Sequence, residues 1–291
     1  MFQQLGLVGC GLMGGSFALA LKRAGLVGRV VGFSPSASTR ERALSMGVVD
    51  AVANSAAEAA QGSDLVLVAV PVAATESTLA ALAGALSPMS LVMDVGSTKC
   101  DVVAAAERAL GASIATFVPA HPIAGKEVAG VEHADPALYQ GCQVILTPNS
   151  ATGAAQLAQA DAVWRALGSR VRQMSAPAHD AAFAAVSHLP HLLAFAMMNS
   201  ITSQADSAEL LSLAGPGFRD FTRIAASDPA VWRDIFLANR DEVLAQIGSF
   251  QTSLTALHQA VSQADPAAIQ SLIHQASTAR SAWHLGTAAD H

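Results

Sequence analysis

Gly9-Cys10-Gly11-Leu12-Met13-Gly14 stands between a short apolar run and an Ala-rich stretch of helical composition. Glycines at that spacing, after a strand and at the head of a helix, suit a pyrophosphate. The first permits the tight turn, the second lets the backbone approach the phosphates, and the third lets helix and strand pack closely. The helix N-terminus adds free N–H groups and the positive end of its dipole. Gly9, Gly11, Leu12, Met13 and Gly14 are therefore the expected dinucleotide-binding residues. About 20 residues on, an NAD-binding chain usually carries Asp or Glu for the ribose hydroxyls. Here the sequence reads Gly32-Phe33-Ser34-Pro35-Ser36-Ala37-Ser38-Thr39-Arg40, with no carboxylate before Glu41. Ser34, Ser36 or Thr39 could hydrogen-bond a 2′-phosphate and Arg40 could pair with it. NADP is thus expected ahead of NAD, with use of both open; the alternative is a solvated turn with Arg40 pointing away.

A second group of residues has the chemistry of proton transfer and anion binding. Asp94-Val95-Gly96-Ser97-Thr98-Lys99 ends one expected strand and His121-Pro122-Ile123-Ala124-Gly125 ends the next. Strand C-termini of an open parallel sheet face the ligand crevice, so Ser97 and His121 could both point at a bound nicotinamide. Further on, Ser187-His188-Leu189-Pro190-His191 lies in a long apolar stretch, and Gly217-Phe218-Arg219-Asp220-Phe221-Thr222-Arg223 follows a glycine-rich turn. Histidines in so apolar a helix need hydrogen-bond partners or a ligand. Their spacing could suit a metal, yet no third ligand is evident and no metal is expected.

These residues must be positioned by two regions of different pattern. Apolar runs at 3–8, 29–33, 64–70, 91–95, 115–119, 143–147 and 170–174 read as strands, with helical segments at 13–23, 38–46, 75–86 and 101–110 between them. That alternation predicts an α/β domain over residues 1–173, with a mostly parallel sheet covered by helices. Residues 174–291 read as helical throughout, broken at 214–217, 227–229 and 265–266. Ser227-Asp228-Pro229 looks like a helix start, with Asp as N-cap and Pro in the first turn.

Composition removes other classes of function. Sixteen Lys+Arg against 22 Asp+Glu, a net charge of −6 and no basic run disfavour nucleic acid. Three cysteines without a CxxC pair are too few for a disulfide scaffold or a zinc knuckle. Mean hydropathy is +0.40 and only 13% of residues are charged, short of the usual quarter, which suggests surface hidden against a partner. Residues 181–205 carry no Asp, Glu, Lys or Arg, long enough to span a bilayer. The same stretch holds His188, Pro190, His191, Asn199 and Gln204 without a basic flank or aromatic belt. A helix buried on all sides of a soluble protein is expected instead, with no membrane partner. The chain opens on a strand-like run rather than a signal peptide, so a cytoplasmic location is expected.

Taken in order, the glycine motif, DVGSTK (94–99), HPIAGKEVAGVE (121–132), VSHLPH (186–191) and GPGFRDFTRIAASDPAVWRDIF (215–236) resemble the prephenate/arogenate dehydrogenases of tyrosine biosynthesis. The resemblance runs from about residue 3 to 250. It implies a Rossmann-like domain joined to an all-helical domain through which two subunits interlock as a homodimer. It also implies oxidative decarboxylation of prephenate or arogenate with NAD or NADP, yielding 4-hydroxyphenylpyruvate or tyrosine. By motif, His121 matches the catalytic histidine that accepts a hydrogen bond from the ring 4-hydroxyl, and Ser97 the serine that orients it and contacts the cofactor. Arg223 matches the arginine that holds a substrate carboxylate, and His188 and His191 match histidines of the substrate pocket. Glu127 falls where the family has an acid near the site. Two alternatives remain at this level: a β-hydroxyacid dehydrogenase of similar build, or a non-catalytic NADP-binding sensor.

Overall fold

The computed structural model describes residues 1–125 and 128–284; Lys126, Glu127 and the last seven residues lie outside the described set. The chain divides into two compact units, residues 1–242 and 243–291.

In the first unit, strands and helices alternate from the start. They are β1 (Phe2–Val8), α1 (Leu12–Arg23), β2 (Val27–Phe33), α2 (Ala37–Ser45), β3 (Ala51–Val52), α3 (Ala56–Ala60), β4 (Leu65–Val68), α4 (Thr75–Leu82), β5 (Leu91–Asp94), α5 (Cys100–Leu110) and β6 (Phe117–Val118). Six of these are strands of one sheet, ordered β3-β2-β1-β4-β5-β6, with every pair parallel. β4 is buried along its whole length, as expected of a strand covered on both faces. Its alternate residues serve two cores. Leu65 and Leu67 pack with Leu5, Leu7, Phe17 and Trp164, whereas Val66 and Val68 pack with Val8, Leu79, Val92 and Phe117. The order reverses between β1 and β4, and an open α/β sheet binds its ligand at such a switch point.

After Val118 the chain leaves this sheet. β7 (Ala120–Pro122) pairs antiparallel with β8 (Gln143–Leu146), which pairs parallel with β9 (Arg170–Gln173) across α6 (Ala154–Ala166). The sequence reading placed His121 just past the end of a strand in the main sheet. It sits instead inside β7, opposite Ile145. Pro119, which has no N–H to continue a ladder, stands at the change of sheet.

The rest of this unit is helical: α7 (Ala176–Phe183), a π turn (Ala184–His188), α8 (Leu189–Thr202), α9 (Ser207–Ser212), α10 (Pro216–Thr222) and α11 (Pro229–Ala238). Pro190 cannot bond the carbonyl four residues back and its ring would strike it. The wide π turn directly before α8 absorbs that mismatch, a device common at functional sites. Asp228 caps α11 by accepting from the Ala230 and Val231 N–H groups at 2.8 and 3.0 Å, as its sequence predicts.

The expectation of a helix buried on all sides is corrected here. Ala176–Thr202 is long and apolar enough to cross a membrane, yet only 22% of its most apolar part is buried. One chain supplies too few elements to cover it. Within the same unit Val186, Leu213, Phe221 and Leu237 are also exposed.

The second unit holds the remainder of α12 (Arg240–Ser262) and α13 (Pro266–Ala282), the latter capped by Asp265. Leu254, Leu257 and Val261 recur at helical spacing and are all exposed, forming an apolar stripe on α12.

Candidate active site

The glycine motif forms the turn from β1 into α1. Gly9 has φ +101°, and a side chain there would meet the Ala69 carbonyl oxygen at 2.2 Å. A side chain on Gly14 would meet the Gly9 carbonyl oxygen at 2.1 Å, so strand and helix touch backbone to backbone. Around Gly11 an added side chain would find nothing within 4 Å. The space belongs to a cleft of about 680 Å³. Gly11, Leu12 and Met13 line it, with Ala69 and Val70 after β4, Gly96 and Ser97 after β5, and Asp228, Trp232 and Ile235 near or on α11. No acid occupies the first turn of α1, so its N–H groups and dipole are available to an anion. The donor set fits a dinucleotide pyrophosphate.

Ser34, Ser36, Thr39 and Arg40 lie together where β2 gives way to α2. Ser36 caps α2 by accepting from the Thr39 N–H at 3.3 Å. Arg40 donates through Nη1 to the carbonyls of Ser34 and Pro35, and its guanidinium lies 5.9 Å from the centre of the Phe33 ring. The arginine is thus folded back over the end of β2 rather than directed away.

His121 is buried, and the contacts around its ring come from residues to which the sequence reading gave no role. Its Nδ1 lies 2.8 Å from Nε2 of His179, and His179 Nδ1 lies 2.8 Å from Asp180 Oδ1. The Asp180 carboxylate accepts from the Lys99 and Cys100 N–H groups, each at 2.8 Å, at the N-terminus of α5. Phe183, one turn past His179, packs on both imidazoles at centroid distances of 4.9 and 4.4 Å. The group that grips His121 at Nδ1 is therefore His179, and Ser97 lines the cleft.

Beneath this sits a buried ion pair. Lys99 Nζ donates to Asp94 Oδ2 and, at 2.9 Å, to the Ala120 carbonyl. Asp94 Oδ1 accepts from the Ala120 N–H at 2.9 Å. Both backbone groups of the residue before His121 are thus clamped by the two ends of the DVGSTK segment. Neither Asp94 nor Lys99 was assigned a role from sequence. The signal was there, because an acid ending a wholly apolar strand must find a partner.

His188 joins the same network through Asn239. The amide nitrogen of Asn239 donates to the Asp180 carbonyl at 2.8 Å and lies 3.1 Å from His188 Nδ1. His191 donates from Nδ1 to the Ser187 carbonyl at 2.9 Å and stacks on Trp232 at 3.6 Å. Trp232 also meets His188 edge-on at 6.1 Å, so it ties both histidines to the cleft wall. Arg223 begins the short turn Arg223–Ala226 after α10 and is exposed; Ala226 and Ser227, just beyond it, line the cleft. Glu127 lies outside the described residues. Among the described residues no group of three or more His, Cys, Asp or Glu could hold a metal.

Burial holds the imidazoles neutral. The pKa of His121 lies well below its ordinary value, first through desolvation and then because His179, Lys99 and His188 all disfavour a proton beside them. Desolvation also lowers His179 and His191, and takes His188 down to about 4. Burial pushes the Asp180 carboxyl up, but hydrogen bonds from His179 and from the Cys100 and Lys99 N–H groups outweigh it and hold the group ionised. A linkage follows. An unfolded chain protonates its histidines near pH 6.5, while this fold keeps them neutral. Their stabilising contribution is complete above that pH and is lost as pH falls toward 4. The melting temperature should therefore drop between about pH 7.5 and 5; a level profile would mean that these rings reach water in the folded protein.

Two family models cover nearly the whole chain. The prephenate dehydrogenase nucleotide-binding domain matches residues 17–173 and the prephenate dehydrogenase dimerization domain matches residues 175–275. The chain belongs to the prephenate dehydrogenase family. It is 34% identical to a cyclohexadienyl dehydrogenase of Zymomonas mobilis over 91% of this chain and 90% of that one. Among solved structures it resembles a prephenate dehydrogenase of A. aeolicus in complex with hydroxyphenyl propionate and NAD+, at 36% identity and a TM-score of 0.90 over 96% and 98% of the two chains. An arogenate dehydrogenase of Synechocystis is similar at 27% identity and a TM-score of 0.80, over 96% and 99%. The Rossmann-like fold with a helical C-terminal domain is that of the family, and the enzyme is an oxidoreductase using a pyridine nucleotide.

Proposed function

We propose that this enzyme oxidatively decarboxylates prephenate, arogenate or both, with His121 handling the proton of the ring hydroxyl. The observation that carries this reading is His121 itself: a buried, neutral imidazole, held at Nδ1, in the same fold as an open glycine-lined cleft. The Gly9–Gly14 turn and the α1 N-terminus would hold the dinucleotide, and Ser97 would approach its nicotinamide. Oxidised nicotinamide, when bound, accepts the hydride. The protein's own part is to hold the dihydroaromatic ring and to take the hydroxyl proton as the carbonyl forms. Loss of the ring carboxylate as CO2 then makes the ring aromatic, and a dicarboxylate substrate suits the planar fork of Arg223. His188, His191 and Glu127 complete the substrate set in this reading.

NADP is the favoured cofactor. Arg40 and Ser34, Ser36 and Thr39 cluster at the end of β2, where no carboxylate would repel a 2′-phosphate. A β-hydroxyacid dehydrogenase would rest on a helical-domain lysine, and this sequence has none after Lys126. The dimerization-domain match and the exposed Leu254–Leu257–Val261 stripe support a homodimer, which sedimentation at micromolar concentration tests. Three free cysteines suit a reducing cytoplasm. Initial rates of cofactor reduction with prephenate and arogenate, each with NAD and NADP, test the reaction and its preferences together. The expected result is turnover with the highest kcat/KM in an NADP pairing; no reduction in any of the four pairings would reject the reading.

A further inference from the structure

The contacts around His121 fix where its proton resides. Asp180 is ionised and can only accept, so His179 must donate to it from Nδ1. A neutral His179 then has a lone pair at Nε2. The contact of 2.8 Å between that atom and His121 Nδ1 requires the proton to lie on His121 Nδ1. The other ring nitrogen of His121, Nε2, is left as an acceptor. The amide of Asn239 sets His188 the opposite way. Its nitrogen must donate to the Asp180 carbonyl, so its second N–H faces His188 Nδ1 and leaves the proton of that ring on Nε2.

We propose that His179, backed by the Asp180 carboxylate, is a positioning residue that fixes His121 as the Nδ1–H tautomer and takes over the proton His121 receives. This rests on the reading of His121 given above. The O–H bond of the substrate breaks and an N–H bond forms at His121 Nε2. The Nδ1–H bond of His121 then breaks as His179 Nε2 gains that proton. His121 ends neutral as its Nε2–H tautomer, and the positive charge rests on His179 beside the Asp180 carboxylate. Lys99 opposes a cation on either ring, but only His179 has the Asp180 carboxylate hydrogen-bonded to it, so the transfer carries the charge to the ring that a carboxylate stabilises. It explains how so desolvated an imidazole can act as a base. A general base whose partner fixes its tautomer loses much of its effect when that partner is removed.

The test combines spectroscopy with kinetics. Nitrogen-15 histidine NMR of the free protein, with the His121 resonances assigned by their loss in His121→Asn, should show Nδ1 protonated and Nε2 bare. His179→Gln keeps an oxygen that can accept from His121 Nδ1 but cannot carry the proton. It should preserve the tautomer and the KM while lowering kcat on the order of 10- to 100-fold. His179→Leu should mix the tautomers and lower kcat further. Thermal melts of each variant show that the fold is kept; if the leucine variant fails to fold, the wild-type spectrum and the glutamine variant still decide. A wild-type His121 protonated at Nε2 would overturn the proposal. So would kcat within twofold of wild type in His179→Gln while His121→Asn is inactive. Full turnover in His121→Asn would instead overturn the reading of His121 itself.

Discussion

Replacing His121 by Asn should lower kcat by about 10²- to 10⁴-fold while the substrate KM changes little. The ring is buried in β7, gripped at Nδ1 by His179 and packed against Phe183. Asparagine keeps a polar side chain at the strand position but cannot take up a proton at the distal atom. An interaction made only as the hydroxyl proton moves is lost from kcat and leaves ground-state binding in place. Arg223→Ala is the contrasting variant. Its proposed role is to hold a carboxylate throughout the reaction, so its loss should appear chiefly in KM. Steady-state kinetics of the two variants side by side check the division. A histidine variant with wild-type kcat, or an arginine variant affected only in kcat, would reverse the assignments.

Replacing Lys99 by Met should destabilise the fold by about 3–5 kcal/mol. Both charges of the Lys99–Asp94 pair are almost completely buried, with side-chain exposures of 0% and 3%. Removal of the ammonium leaves a carboxylate that water cannot reach, and removes the donor to the Ala120 carbonyl as well. The double variant Asp94→Asn with Lys99→Met should recover much of that loss, because its remaining polar group is neutral and still accepts from the Ala120 N–H. Urea denaturation of the single and double variants measures both quantities. A loss under about 1 kcal/mol in the single variant would show that the pair behaves as a solvated one. Since the pair brackets the residue before His121, the surviving Lys99→Met protein should also turn over more slowly.

The glycine motif was legible because its function is backbone geometry, and backbone geometry is what glycine spacing encodes. Asp228 was legible for the same reason: an N-cap is a local contract between a side chain and the N–H groups two and three residues on. The histidine at 121 could be picked out by motif, but its partners could not. His179 and Asp180 lie 58 and 59 residues further along the chain and meet it only through the packing of α7. One local sign did point there, since Asp180 is the last charge before the 25-residue stretch without any. An acid at the edge of such a run needs a buried partner. The separate sheet carrying β7 was hidden because Ala120-His121-Pro122 follows the 115–119 run directly and reads as the end of that strand, and only the missing N–H of Pro119 marks the exchange of ladders. The helix expected to be enclosed failed differently. Hydropathy reports that a surface will be covered, and says nothing about whether the same chain covers it.

That last feature bears on how the protein comes into being. A newly made copy carries Ala176–Thr202, as apolar as a bilayer span, with only part of it buried by its own chain. On the homodimer proposed above, solubility is a matter of timing. The encounter with a partner competes with chaperone capture and with clumping, and that contest depends on concentration. Slow synthesis would favour loss of the chain, and rapid synthesis its rescue. Of the histidines proposed to serve the reaction, His179, His188 and His191 lie on that segment, so quality control and the proposed chemistry would act on the same stretch.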